Sequence, residues 1–80
     1  MRYYFDFTNG HGLVRDDEGQ LLDSPSLVEQ EVSRILTDVA RDELPATFQG
    51  EVKVDVRDEM GAYIYSGSIV FEKHWVTRPS

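Results

Sequence analysis

The 80-residue chain contains no cysteine. That absence removes disulfides, thiolate metal sites, cysteine nucleophiles and thiol redox switching together. Histidine is nearly absent too: His11 and His74 are far apart, with no H-x-x-x-H or H-x-H spacing to suggest a transition-metal site. Apolar runs are short, and none nears the roughly 20 residues of a membrane span. The opening Met1-Arg2-Tyr3-Tyr4-Phe5-Asp6-Phe7 is aromatic but broken by Asp6, unlike a secretory h-region. A cytoplasmic location with no membrane partner is therefore expected. Cations are the last scarcity, with 8 Lys and Arg against 15 Asp and Glu, a net charge of −7. Nucleic-acid binders draw most of their affinity from Lys and Arg at phosphates, so no nucleic-acid partner is expected.

What is present reads as one small α+β domain. Arg2 to Thr8 alternates strictly, with Tyr3, Phe5 and Phe7 on one side and Tyr4, Asp6 and Thr8 on the other. Asn9-Gly10-His11-Gly12 is a turn, and Leu13-Val14-Arg15 a short return strand. Asp16 to Gly19 turns again before a second short strand at Gln20-Leu21-Leu22. Ser24 then offers an N-cap and Pro25 a first helical residue. Behind them Val28, Val32, Ile35, Leu36, Val39 and Ala40 recur at helical spacing, until Leu44-Pro45 stops the helix. Glu51 to Arg57 alternates valine with charge, and Ala62 to Glu72 returns. The expected order is ββ(β)αββ, one amphipathic helix on a small antiparallel sheet. The domain covers residues 1–72, and a loosely held tail covers 73–80. The expected core is Phe5, Phe7, Val14, Leu22, Val28, Val32, Ile35, Leu36, Val39, Val52, Val54, Val56, Ile69 and Phe71.

Val14-Arg15-Asp16-Asp17-Glu18-Gly19 and Val56-Arg57-Asp58-Glu59-Met60-Gly61 share the pattern V-R-D-x-x-G. Asp first and Gly fourth describe a type I turn that closes a hairpin through a Gly bulge. If Asp58 pairs with Ala62, Val56 lies opposite Ile64 and Val54 opposite Ser66. Tyr63 and Tyr65 then face outward beside Arg57 and Asp55. Ile69 and Phe71 share the tyrosines' parity yet read as core. Either a bulge at Ser66-Gly67-Ser68 moves them inward, the preferred reading, or a tighter loop turns both tyrosines inward.

These features resemble a family of short uncharacterised proteins of rhizobia and related alphaproteobacteria. Its pattern is the Arg2-Tyr3-Tyr4-Phe5 opening, the D-x-x-G turns at Asp16 and Asp58, one amphipathic helix, and a last strand ending at Phe71. It is a domain of unknown function, so the resemblance implies a fold and a host but no activity. The segment from Lys73 to Ser80, with Trp75, departs from that pattern by running past its usual end.

No chemical constellation emerges from the remaining residues. Asp16, Asp17 and Glu18 lack the ligand spacing of a calcium loop. Glu51-x-Lys53 is the wet face of an amphipathic strand rather than half of a nuclease site. Ser24, Ser26 and Ser33 have no histidine nearby, and no helix starts behind Gly10 and Gly12 to make a phosphate loop. No catalytic, cofactor-binding or metal residues are assigned, no cofactor is expected, and the chain is read as a non-enzyme. One helix covers one sheet face only, which leaves Tyr4, Tyr63 and Tyr65 as a candidate partner surface. The first functional class is a protein–protein interaction module acting through the open sheet face or an edge strand. Its partner is another protein or a second copy in a homodimer. The alternative is an antitoxin-like or regulatory module that neutralises a basic partner, and the third a small-metabolite binder.

Overall fold

The computed structural model describes residues 1–80. Five strands and one helix follow in order: β1 (Arg2–Asn9), β2 (Gly12–Val14), β3 (Gln20–Leu21), α1 (Pro25–Glu43), β4 (Gln49–Arg57) and β5 (Tyr63–Glu72). All pairings are antiparallel, in the order β2-β1-β4-β5, with β3 also on β1. The α+β architecture, the single helix and the strand sequence are as the periodicities predict.

The helix begins where its capping chemistry places it. Ser24 is extended, its hydroxyl accepts from the Leu27 N–H at 3.3 Å, and Pro25 occupies the first helical turn. At the far end Leu44-Pro45-Ala46 tightens into a single 3-10 turn. The buried stripe Val28, Val32, Leu36 and Ala40 lies over β4 and β5, with lighter contact to β1. Beneath it Val52, Val54 and Val56 are completely buried beside Phe5. Tyr3, Phe7, Leu22, Ile35, Val39, Ile69 and Phe71 pack around this nucleus.

Val14 is the exception to the expected core. It pairs with Phe7, yet it is 48% exposed. The helix leans towards β4 and β5, so the outermost strand on the other side has nothing above it.

The register of the last hairpin also differs from expectation. Asp58 does pair with Ala62, its N–H donating to the Ala62 carbonyl at 2.9 Å, and Gly61 takes φ of +84° at the turn. The irregularity comes immediately afterwards: Arg57 faces Tyr63, and Val56 faces Tyr65 rather than Ile64. Ile64 is the extra residue, so Val54 faces Gly67 and not Ser66. Ser66 to Ser68 then runs on in regular pairing. A bulge by the turn displaces no buried pair, because Ile64 is half exposed. A bulge at Gly67 would break the sheet under the helix. There a Cβ would lie 2.8 Å from Val32 Cγ1 and 3.2 Å from Leu36 Cδ1, so glycine lets α1 settle onto β5.

The first D-x-x-G segment is not a hairpin turn, although Gly19 takes φ of +71°. The strands either side of it do not pair with one another. Both return to the same edge of β1, β2 at Phe7–Asn9 and β3 at Arg2–Tyr3, and the segment bridges the gap between them.

Candidate functional site

On the sheet face away from the helix, Asp6 and Arg57 are 1% and 8% exposed. Alternation alone reads both as wet-face residues, and the fold buries them. Arg57 Nε and one terminal nitrogen donate to the two Asp6 oxygens at 2.8 and 3.0 Å, a forked pair. The same Arg57 donates to the Asp16 carbonyl at 2.8 Å, and its guanidinium lies 4.9 Å from the centre of the Tyr4 ring. Asp6 also accepts from the Asp16 N–H at 2.9 Å and the Tyr63 hydroxyl at 3.0 Å. Arg57's hydrogen bonds are the largest influence on Asp6. They outweigh the cost of burial and, with the Asp16 and Tyr63 donors, hold its carboxyl down at about 2. The same contact with Asp6 raises the pKa of Arg57 and of the Tyr63 phenol.

Asp16 completes the cluster from the bridging loop. Its carboxylate fills the gap between β2 and β3, accepting from the Phe5 N–H at 3.0 Å in place of a strand carbonyl. The Glu18 and Gly19 N–H groups donate to its other oxygen. Burial pushes the Asp16 carboxyl up, but the three backbone donors together leave it below its usual value. A carboxylate saturated in this way, as Asp6 is, is a poor proton acceptor near neutral pH. The cluster is a polar pin that ties β1, β4, β5 and the bridging loop together.

Tyr4 and Tyr63 therefore meet around Arg57, while Tyr65 does not join them. Because Tyr65 faces Val56, it lies on the helix side, in a notch of about 160 Å³ with Tyr3, Pro25, Val28, Glu29 and Ile64. Elsewhere on the outer face Thr8, Lys53, Asp55, Ser66 and Ser68 sit at matched positions across β1, β4 and β5, with exposed Leu13, Leu21 and Val70 towards the edges. His11 and Glu43 approach to 3.9 Å at the surface, and Lys53 and Asp55 to the same distance. No three His, Asp or Glu side chains gather in a way that could hold a metal ion. No helix is long and apolar enough to cross a membrane.

The two edges of the sheet are unlike. One edge is broken into β2 and β3, of three and two residues, with Asp16 plugging the gap. The other is β5, ten residues long and paired on one side only. Between Tyr63 and Glu72 there is no proline, and Glu72 is the only charged residue. Tyr63, Ile64, Tyr65 and Val70 are all exposed. The parity of the ladder gives the direction of the free backbone. The Phe5 N–H points away from β4, so by alternation the N–H groups of Ser66, Ser68 and Val70 point outward from β5.

A family model described as a domain of unknown function, DUF6894, matches residues 2–70. The chain belongs to this family. The matched stretch takes in every strand but the last two residues of β5, and the whole helix. No curated protein and no solved structure matches the chain.

Proposed function

We propose that this DUF6894 chain is a non-enzymatic protein–protein interaction module that receives an extended strand along β5. The observation that carries the reading is the contrast between the edges. Proteins blunt exposed edges with short strands, bulges, prolines or inward charges, because an open edge is a template for pairing. The β2/β3 edge is blunted in this manner, whereas β5, beyond the bulge at Ile64 beside its turn, pairs regularly from Tyr65 to Glu72 with none of these devices before Glu72. Strand addition draws affinity from the outward backbone groups and specificity from the flanking side chains. Tyr65 and its notch, on the helix side, and Val70, on the outer side, supply such flanks.

The Asp6–Arg57 pin, charged at neutral pH, belongs to this reading as a support: it fixes the β4–β5 hairpin at the end where Tyr63 and Ile64 present themselves.

The test is paired capture with tagged wild type and Ser68→Pro as baits, in lysate of a rhizobial host, the source the Arg2-Tyr3-Tyr4-Phe5 pattern resembles. Proline at Ser68 removes one outward N–H and leaves the β4–β5 ladder intact, as edge positions allow. A bound chain recovered by the wild type and lost by a Ser68→Pro protein of unchanged melting temperature is expected. Equal recovery by both baits would refute edge pairing. Recovery of a basic nuclease-like protein would turn the reading towards neutralisation of a toxin.

A further inference from the structure

The reading of β5 as a docking edge leaves its occupant open, and we infer that the occupant is a second copy of this chain. The two β5 strands pair antiparallel about a two-fold axis near Ser68 and merge two sheets into one. This inference rests on the edge reading above.

Charge makes the first argument. A chain of net charge −7 repels its own copies over most of its surface, yet β5 is neutral from Tyr63 to Phe71. An axis at Ser68 sets Glu72 opposite Ile64 of the second copy and keeps the two Glu72 side chains at opposite ends. Like charges directly across a ladder, which would destabilise it, are thereby avoided. On the helix side the same axis sets Tyr65 opposite Phe71 and Gly67 opposite Ile69. The first is an aromatic pair of the kind that stabilises adjacent strands, and the second sets Ile69 against a residue with no side chain to clash with it. On the outer side Ser66 meets Val70, and Ser68 meets itself.

The helices make the second argument. Since α1 lies over β4 and β5, its axis stands about half a strand spacing inside the edge. Joining two edges brings the two α1 helices to about 10 Å, the upper end of the usual packing distance. Helical spacing from the buried Val28, Val32 and Leu36 puts Glu29, Ser33 and Thr37 on the flank that meets the second copy. Ser33 and Thr37 are small, and their hydroxyls already donate to the Glu29 and Ser33 carbonyls, at 3.2 and 2.8 Å. Two such flanks approach without burying an unsatisfied donor. The antiparallel arrangement also brings Glu29 of each copy towards the Arg41 end of the other helix.

Light scattering across a concentration series, with three variants, tests the inference. Wild type is expected to reach twice the 9.2 kDa of one chain. Ser68→Pro is expected to remain at the single-chain mass with its melting temperature kept. Ser68→Lys places two like charges at the axis, so its dimer should weaken by up to about five-fold at low salt and recover at high salt. Ser68→Cys introduces the only thiol, with paired Cα atoms about 5.5 Å apart, and should close a disulfide dimer under mild oxidation. A wild type that stays at single-chain mass up to millimolar concentration overturns the second copy as occupant. In that case edge docking stands if Ser68→Pro still abolishes capture of another protein, and falls with it if nothing is lost. A dimer that survives both Ser68→Pro and Ser68→Lys, or a Ser68→Cys dimer that does not crosslink, overturns the β5 axis.

Discussion

Replacing Asp6 with Asn isolates the physics of the buried pair better than any other change to this chain. The substitution keeps the shape of the side chain and removes the charge that neutralises Arg57, itself 8% exposed. Asp6 lies at about 2 instead of its usual 3.8, a difference that corresponds to about 2 kcal/mol of stability at neutral pH. The cost of the substitution should exceed that figure, because Arg57 is left buried without its counter-charge, a situation that typically costs about 3–5 kcal/mol. A domain of this length has on the order of 4–12 kcal/mol in total, so Asp6→Asn should bring it near the edge of folding. Urea denaturation of wild type, Asp6→Asn, Arg57→Met and the double variant gives the coupling energy directly. The double variant is expected to be more stable than the sum of the singles implies, by about 2 kcal/mol or more. Its remaining loss comes from whichever of the Asp16 N–H and the Tyr63 hydroxyl meets the new amide nitrogen in place of an oxygen, and from the Asp16 carbonyl, which loses the Arg57 donor. The pH dependence follows with a definite sign. The folded carboxyl is depressed relative to the unfolded one, so the stabilisation is complete above about pH 4. It is lost as pH falls towards about 2, and Asp6→Asn should lack that part of the acid sensitivity. A single-variant cost under about 1 kcal/mol, or simple additivity in the cycle, would refute the account of the pin.

Asp16→Ala strands the N–H groups of Phe5, Glu18 and Gly19, and should cost about 2–3 kcal/mol by urea denaturation, with faster amide exchange at Phe5. Gly67→Ala drives a methyl against Val32 and Leu36, and should lower stability by about 1–3 kcal/mol; an unchanged melting temperature would show that α1 can lift without cost. Ser24→Ala removes the cap on the Leu27 N–H and should cost about 1 kcal/mol, whereas Ser26→Ala nearby should cost almost nothing.

The single helix, its cap, the order of the strands and nearly the whole core were determined by the sequence alone. Each of these rests on local periodicity or on the chemistry of a few neighbours: Ser24 before Pro25, valines every second residue in β4, and apolar residues at three and four along α1. The family resemblance drew on the same turn and strand signatures, and the chain does belong to a family of unknown function, DUF6894, over residues 2–70. Tertiary structure decided the rest, because each remaining feature depends on residues far apart in the chain. Asp6 and Arg57 are separated by 51 positions, and only the β1–β4 pairing brings them together. Alternation marks both as outward, and nothing local says that Tyr4, Tyr63 and the Asp16 loop will cover that outward face. The two D-x-x-G segments begin with the same residues, yet one closes a hairpin and the other bridges two strands on one edge. What separates them is whether the following strand meets its predecessor or β1. The position of the bulge, and with it the side on which Tyr65 stands, was set by the need to seat Gly67 beneath Val32 and Leu36. Local pattern tells a residue which face it prefers, while packing against distant elements decides whether that face meets water.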